Sequence, residues 1–379
     1  MTETLKSRAS AKASGALHAP TRLRGGVFYP STPSLESYTP PPRAVLARLD
    51  RNENLFGPSP LVLEEIASAL TSAHLYPARE DFEELEEAVA RYCGVSPENV
   101  VLTCGSDCAL DLFSKCFVGP GDRVVVTPPT FSMYERVALT RGARVEKVPL
   151  TRERFELDLQ AVSSRLKESK VLFLANPNNP TGNLLIDSRE LEELLSFEGL
   201  VVLDEAYYEY SGVTFVELVR HYPNLVVLRT FSKAFGLAGL RVGYVVAAEE
   251  TANAMRRIKL PYDVSLPAAR AALAALRDLP YVRWVTLVTT REREKLGSRL
   301  RELGLRVYPS LANFLLISTE RTSISASELA SSLLERGVAV RDLSGVEGLT
   351  IYHARVTIGR PIDNALLLDV LGEVLRAQR

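Results

Sequence analysis

One lysine in this chain stands apart by its surroundings. Lys233 lies in Thr230-Phe-Ser-Lys-Ala-Phe-Gly-Leu-Ala-Gly-Leu-Arg-Val-Gly-Tyr244, among hydroxyls, small residues and apolar side chains. A lysine desolvated in a tight turn gives up part of its preference for the charged form, and its neutral amine can form a Schiff base with an aldehyde cofactor. Thr230, Ser232 and Arg241 lie near enough in sequence to hold a phosphate. An aldehyde that also carries a phosphate points to pyridoxal 5'-phosphate (PLP). Upstream, Gly105-Ser106-Asp107 follows an apolar run and opens a helical pattern through Leu110 and Phe113. Backbone N–H groups at such a helix start bind phosphate well, although the same turn also caps helices that bind nothing. Two polar motifs lie between: Asn176-Pro-Asn-Asn-Pro-Thr-Gly182, which could be an ordinary turn, and Asp204-Glu-Ala-Tyr207, whose aspartate ends an apolar run. A buried carboxylate at that position is costly unless something pairs with it.

The elements that must position these residues are legible as short apolar runs. Val100–Thr103, Arg123–Thr127, Arg144–Val148, Val171–Ala175, Leu200–Leu203, Leu225–Leu228 and Val242–Ala247 are each near five residues long and rich in β-branched side chains. They mostly alternate with helical patterns, which predicts a largely parallel, buried sheet. Gly105, Asn179, Asp204 and Ser232 fall just after the carboxyl ends of these runs, where open α/β sheets place ligands. Ser59 and Pro60 predict the start of a helix through Leu70, and the spacing of Phe82, Leu85, Val89 and Tyr92 predicts a second helix over 80–92. Beyond Leu266 the pattern changes. Helices are expected over 267–278, 281–303, 325–336 and from 363, with strands near 305–308, 312–317, 338–341 and 354–358, a smaller α+β arrangement.

Bulk properties exclude several classes. The chain has 379 residues, 46% of them hydrophobic and 24% charged, enough for a large core and more than one domain. A net charge of −1 supplies no general attraction for nucleic acid or an anionic membrane. No apolar run reaches membrane-spanning length, and no secretory leader follows the first basic residues, so a cytoplasmic enzyme is expected. Cys93, Cys104, Cys108 and Cys116 match no metal-binding spacing, so free thiols and no metal are expected. Residues 1–26 are rich in Ala, Ser, Lys and Arg and read as a disordered tail, with an organelle transit peptide as the other reading. The proline-rich stretch 27–60 reads as an extended arm with turns.

Taken together, the lysine, Asn-Pro and Asp-Tyr motifs resemble the fold-type I PLP-dependent aminotransferases of classes I and II, and among them the histidinol-phosphate aminotransferase family. The resemblance runs over about residues 34–379. It implies an α/β fold with a large domain built on a mostly parallel sheet and a smaller α+β domain: tail 1–26, arm 27–58 joining the small domain, large PLP-binding domain 59–266, small domain 267–379. It implies that Lys233 carries the cofactor and moves the proton, that Asp204 pairs with the pyridine nitrogen, and that Asn179 and Tyr207 donate to the ring oxygen. Ser106, Asp107, Thr230, Ser232 and Arg241 match phosphate contacts. Phe131 matches the aromatic that stacks on the ring, with a buried core aromatic as the bland reading. Tyr76 matches a tyrosine that reaches the cofactor phosphate of a neighbouring subunit, which implies a homodimer with shared active sites; a surface Tyr-Pro turn is the alternative.

At the substrate end the resemblance assigns Arg355 to the anion of the substrate, with Arg341, Tyr38 and Asn54 as further contacts. The implied reaction moves the amino group of histidinol phosphate to 2-oxoglutarate, in histidine biosynthesis. Three departures stand out: Cys108 where relatives have glutamate, Leu55 where they have proline, and Asp263 where they have asparagine. A negative charge at 263 would weaken a phosphate-recognising pocket if it faced one. An aminotransferase for aromatic or other amino acids shares every cofactor residue, and a donor panel would separate it. A lyase or decarboxylase of a phosphorylated amino acid would release product without transferring nitrogen, and a noncatalytic scaffold would not need Lys233, Asp204 and Tyr207 together.

Overall fold

The structure, a computed structural model, describes residues 45–377. The expected tail, the first part of the arm and Tyr38 lie outside the described residues. After β1 (Ala47–Leu49) come β2 (Val100–Thr103), β3 (Arg123–Val126), β4 (Arg144–Lys147), β5 (Val171–Ala175), β6 (Leu200–Asp204), β7 (Leu225–Thr230) and β8 (Gly243–Ala247). The last group is β9 (Arg306–Val307), β10 (Phe314–Ser318), β11 (Val338–Asp342) and β12 (His353–Thr357). Strands β2 to β8 form one seven-stranded sheet in the order β2-β8-β7-β6-β5-β3-β4, and the others form a mixed five-stranded sheet in the order β1-β11-β12-β10-β9.

In the larger sheet β8 runs antiparallel to both β2 and β7, while the remaining ladders are parallel. Six strands therefore share one direction, and their carboxyl ends lie along one edge. The reason they sit inside is in the sequence: β5 reads Val-Leu-Phe-Leu-Ala and β8 Gly-Tyr-Val-Val-Ala, and every residue of both is buried. Apolar side chains on both faces require a layer on each side. Strand β4, Arg-Val-Glu-Lys, is at the sheet's edge and carries the charge that discourages further pairing.

The helices begin where local chemistry allows. Ser59 Oγ accepts from the Leu61 N–H at the start of Pro60–Leu70, with proline in the first turn. Gly94, at φ 68°, closes Arg79–Cys93. The long helix Leu279–Glu302 contributes Leu296 and Leu300 to the core of the second sheet, together with Leu315, Ile317, Val338 and Val356. Strand β1 pairs in parallel with β11, so the chain following Val45 is part of that second sheet. Leu55, one of the departures, packs against the same core.

Candidate active site

The shared edge of the large sheet collects the chemistry. Gly105 follows β2, Phe131 lies on the loop after β3, Asn179 on the loop after β5, Asp204 closes β6, and Lys233 lies in the turn after β7. That turn is fixed by its own backbone. Phe231 N–H donates to Val242 O at 3.1 Å, Leu237 N–H to Phe231 O at 2.9 Å, and Ser232 N–H to Thr230 Oγ1 at 3.1 Å. Lys233 Nζ donates to Arg51 O at 3.1 Å and stands 5.7 Å from the centre of the Tyr207 ring. Burial of the amine, with repulsion from Arg355, lowers its pKa to about 8. A larger share of the amine is therefore neutral near pH 7 than in an ordinary lysine.

Asp204 is buried, and burial raises its carboxyl to about 6 against the restraining pull of two hydrogen bonds. Tyr134 Oη donates to Oδ2 at 2.7 Å and the Ala206 N–H to Oδ1 at 3.0 Å. Tyr207 is buried as well. Its hydroxyl accepts from Asn52 Nδ2 at 2.9 Å, and burial raises its pKa. Asn179 Oδ1 accepts from Arg355 Nη1, and Arg355 Nη2 donates to Asp50 O at 2.8 Å. Arg355 on β12 lies directly opposite Arg341 on β11. The first arginine is partly buried, the second exposed.

The phosphate-binding candidates converge. Arg241 Nη1 reaches Ser232 Oγ at 3.5 Å and Ala238 O at 3.1 Å. Its guanidinium also lies over Gly105, where a Cβ would come within 2.5 Å of Nη2. Gly105 has φ +85°, a backbone conformation that strains any residue with a side chain, and the Arg241 guanidinium would have to shift to admit one. Ser106 and Asp107 follow as the first turn of Ser106–Phe117, whose N-terminal N–H groups receive no side-chain cap. An uncapped helix start beside a guanidinium and two hydroxyls suits a phosphate. With a partly neutral lysine and a buried carboxylate in need of a cationic N–H, the residues fit PLP.

Other expected residues are placed differently from a direct contact. Asn54 Nδ2 donates to Gly57 O at 3.2 Å and Ala234 O at 3.0 Å, and its Oδ1 accepts from the Phe56 N–H. It pins the arm to the lysine turn. Tyr76 is 80% exposed and packs on Tyr262 with ring centres 4.7 Å apart. Asp263 pairs with Lys259 at 2.5 Å, which offsets the charge that set it apart in the sequence. The four cysteines are free; Cys108 lies at the surface, and partial desolvation of its sulfur, with the neighbouring Cys104, raises its thiol to about 11.

Sequence reasoning missed several supports. Asn52, at φ 57°, donates to Tyr207, while its N–H donates to Thr357 Oγ1 at 2.8 Å and its carbonyl accepts from Asn313 Nδ2 at 3.0 Å. Asparagine tolerates the left-handed conformation better than most residues, and that was the available signal. Arg229, next to the last residue of β7, pairs with Glu205 at 2.8 Å; both side chains are almost fully buried. Its guanidinium lies 3.9 Å from the centre of the Tyr208 ring. The pair ties the residue after Asp204 to the residue before Thr230.

The sequence profile described as "Aminotransferase class I and II" matches residues 45–365. The chain belongs to the class I and II aminotransferases. This aminotransferase is 40% identical to the histidinol-phosphate aminotransferase of Roseiflexus castenholzii, over 92% of this chain and 98% of that one. It is 43% identical to the histidinol-phosphate aminotransferase of Thermococcus gammatolerans, over 86% of this chain and 91% of the relative. Among solved structures, the histidinol-phosphate aminotransferase of Sinorhizobium meliloti in complex with pyridoxal 5'-phosphate superposes with a TM-score of 0.83 at 29% identity, covering 93% of this chain and 99% of that one.

Proposed function

We propose that this PLP-dependent aminotransferase moves the amino group of L-histidinol phosphate to 2-oxoglutarate, giving imidazole acetol phosphate and glutamate, in histidine biosynthesis. The observation that carries the reading is the meeting of Lys233, Asp204, Tyr207 and Arg355 in one site of a chain 36–43% identical to histidinol-phosphate aminotransferases. When bound, PLP supplies an aldehyde for the amino group and a ring that accepts the electron pair released at the substrate carbon.

The protein's own residues do the rest. Lys233 Nζ, its basicity lowered by burial, would take the proton from the substrate carbon and deliver it to the former aldehyde carbon of the cofactor, and would move a proton the other way in the second half-reaction. Asp204 would hold the ring nitrogen in its cationic form, Asn179 and Tyr207 would donate to the ring oxygen, and Phe131 would offer its face to the ring. The backbone of Ser106 and Asp107, with Thr230, Ser232 and Arg241, holds the phosphate. Arg355 takes the substrate anion as a planar fork, and Arg341 and Tyr38 add charge and a hydroxyl for a phosphate. Asn54 acts by holding the arm in place.

The working unit is a homodimer in which exposed Tyr76 of one subunit completes the phosphate site of its partner. Leu75, Leu260 and Tyr262, also exposed, give that contact an apolar surface. The enzyme works in the cytoplasm; among the described residues no helix is long and apolar enough to cross a membrane. The chain divides into an arm (27–58), a large cofactor-binding domain (59–266) and a small domain (267–379).

The test is a donor panel. PLP-loaded enzyme is mixed with 2-oxoglutarate and histidinol phosphate, glutamine, an aromatic amino acid or phosphothreonine, and glutamate is measured. Histidinol phosphate should have the highest kcat/KM. A preference for an aromatic donor would move the enzyme to a sister specificity, and consumption of a phosphorylated amino acid without glutamate would replace transfer by elimination or decarboxylation.

A further inference from the structure

Tyr134 belongs to no motif that the chemistry above uses, yet it touches two of its parts. It is 1% exposed and stacks on Phe173 with ring centres 5.4 Å apart and planes 4° apart. Phe131, at the other end of the same turn, meets its ring edge-on at 5.6 Å and 83°. Tyr134 N–H donates to Phe131 O at 3.2 Å, which joins the two residues through the backbone as well as through their rings. The hydroxyl, buried in an otherwise apolar setting, donates to Asp204 Oδ2 at 2.7 Å. Burial and the adjacent carboxylate hold that hydroxyl well above its ordinary pKa, so it serves as a donor throughout the working range.

We propose that Tyr134 is a positioning residue that holds Asp204 as a carboxylate in a single orientation and so sets how strongly the site takes a cationic ring nitrogen. The proposal rests on the PLP reading above and deepens it. One donor to each oxygen, Tyr134 to Oδ2 and the Ala206 N–H to Oδ1, fixes the carboxylate plane. An ionised carboxylate offers roughly four acceptor positions, so two such donors leave capacity for the ring N–H. Burial works against ionisation. The other groups that face Asp204 divide: Asp107 on the neighbouring helix start also raises it, and Lys233 lowers it. Tyr207 is protonated and contributes no charge in the working range. Of the groups that favour the carboxylate, the Tyr134 hydroxyl acts most strongly.

Tyr134→Phe removes the hydroxyl and keeps the ring in its stack. Without a charge-assisted hydrogen bond the acid midpoint of Asp204 should rise by about one pH unit or more. In apo-protein, infrared difference titration of the carboxyl band, assigned with Asp204→Asn, reads that midpoint directly. PLP affinity, measured by equilibrium fluorescence from about pH 6 to about pH 9, should fall roughly fivefold at pH 6 and about twofold at pH 7 for a one-unit rise, and the variant should approach the wild type near pH 9, where Asp204 is ionised in both. An unchanged midpoint, or an affinity loss equal at every pH, would overturn the proposal, because a packing role predicts no recovery with pH. If the wild type bound no PLP at any pH, the cofactor reading would fall, and the infrared midpoint would still decide the Tyr134–Asp204 pairing.

Discussion

Removing Glu205 should destabilise the protein from beneath its candidate site. The Glu205 and Arg229 side chains are 0% and 1% exposed. Glu205 Oε2 accepts from Arg229 Nε at 3.0 Å, Arg229 Nη2 at 2.8 Å and Thr214 Oγ1 at 2.7 Å, and Oε1 accepts from the Phe215 N–H at 2.7 Å. Glu205→Leu leaves the guanidinium buried with Thr214, Cys93 and the Tyr208 ring as its surroundings. Breaking a buried pair from one side costs about 3–5 kcal/mol. An unfolding entropy of about 2 cal/mol/K per residue gives roughly 0.7 kcal/mol/K for a chain of this size, so the apo-protein should lose about 4–7 °C in Tm. Glu205→Leu with Arg229→Met removes both charges and should recover more than half of that loss. Calorimetry on apo-protein avoids the stabilisation that bound cofactor adds. A single variant within about 1 °C of the wild type, or a double variant no more stable than the single, would refute the argument that the penalty comes from an abandoned charge.

Three further outcomes follow from particular contacts. In apo-protein, competitive acylation of Lys233 followed by mass spectrometry should show an amine that titrates at about 8, and Arg355→Gln should move it upward by removing a repelling charge; titration near the ordinary lysine value in the wild type would contradict the site's electrostatics. Gly182 has φ +82°, and a Cβ there would collide with the Ser310 side chain, so Gly182→Ala should cost about 1–3 kcal/mol by denaturant unfolding, with partial recovery in Gly182→Ala/Ser310→Gly. Asn52→Leu deprives Tyr207 of its donor and Thr357 Oγ1 of its Asn52 Oδ1 contact, and should destabilise by about 1–3 kcal/mol with a measurable loss of PLP affinity; unchanged affinity would detach Asn52 from the site.

The central strands were legible because burial on both faces leaves near-continuous apolar runs: β2 and β5 have the expected bounds, and the other strands of that sheet differ by one or two residues. Runs of that kind do not encode order. Sequence alone could not show that β8 is inserted antiparallel between β2 and β7, since side-chain burial is the same in either direction. Strand β1 was hidden in a proline-rich arm, because three residues carry no periodicity and its pairing with β11 spans almost the whole chain. The same distance hid Asn52, which joins Tyr207 to Thr357 and Asn313. Lys233, Asp204 and Asn179 could be read locally because each follows or ends a strand at one edge. Tyr134 and Arg229 could not: an aromatic in a helix and an arginine in a strand reveal a role only when their buried partners are known.

The proposed chemistry depends on Lys233 as the amine that carries the cofactor. Borohydride reduction of PLP-loaded protein fixes the cofactor to whichever amine holds it, and peptide mapping by mass spectrometry finds that amine. The label should appear on the peptide containing Thr230-Phe-Ser-Lys233 at close to one per chain, and should vanish in Lys233→Ala. Stoichiometric labelling at any other lysine, or undiminished labelling in Lys233→Ala, would contradict the account.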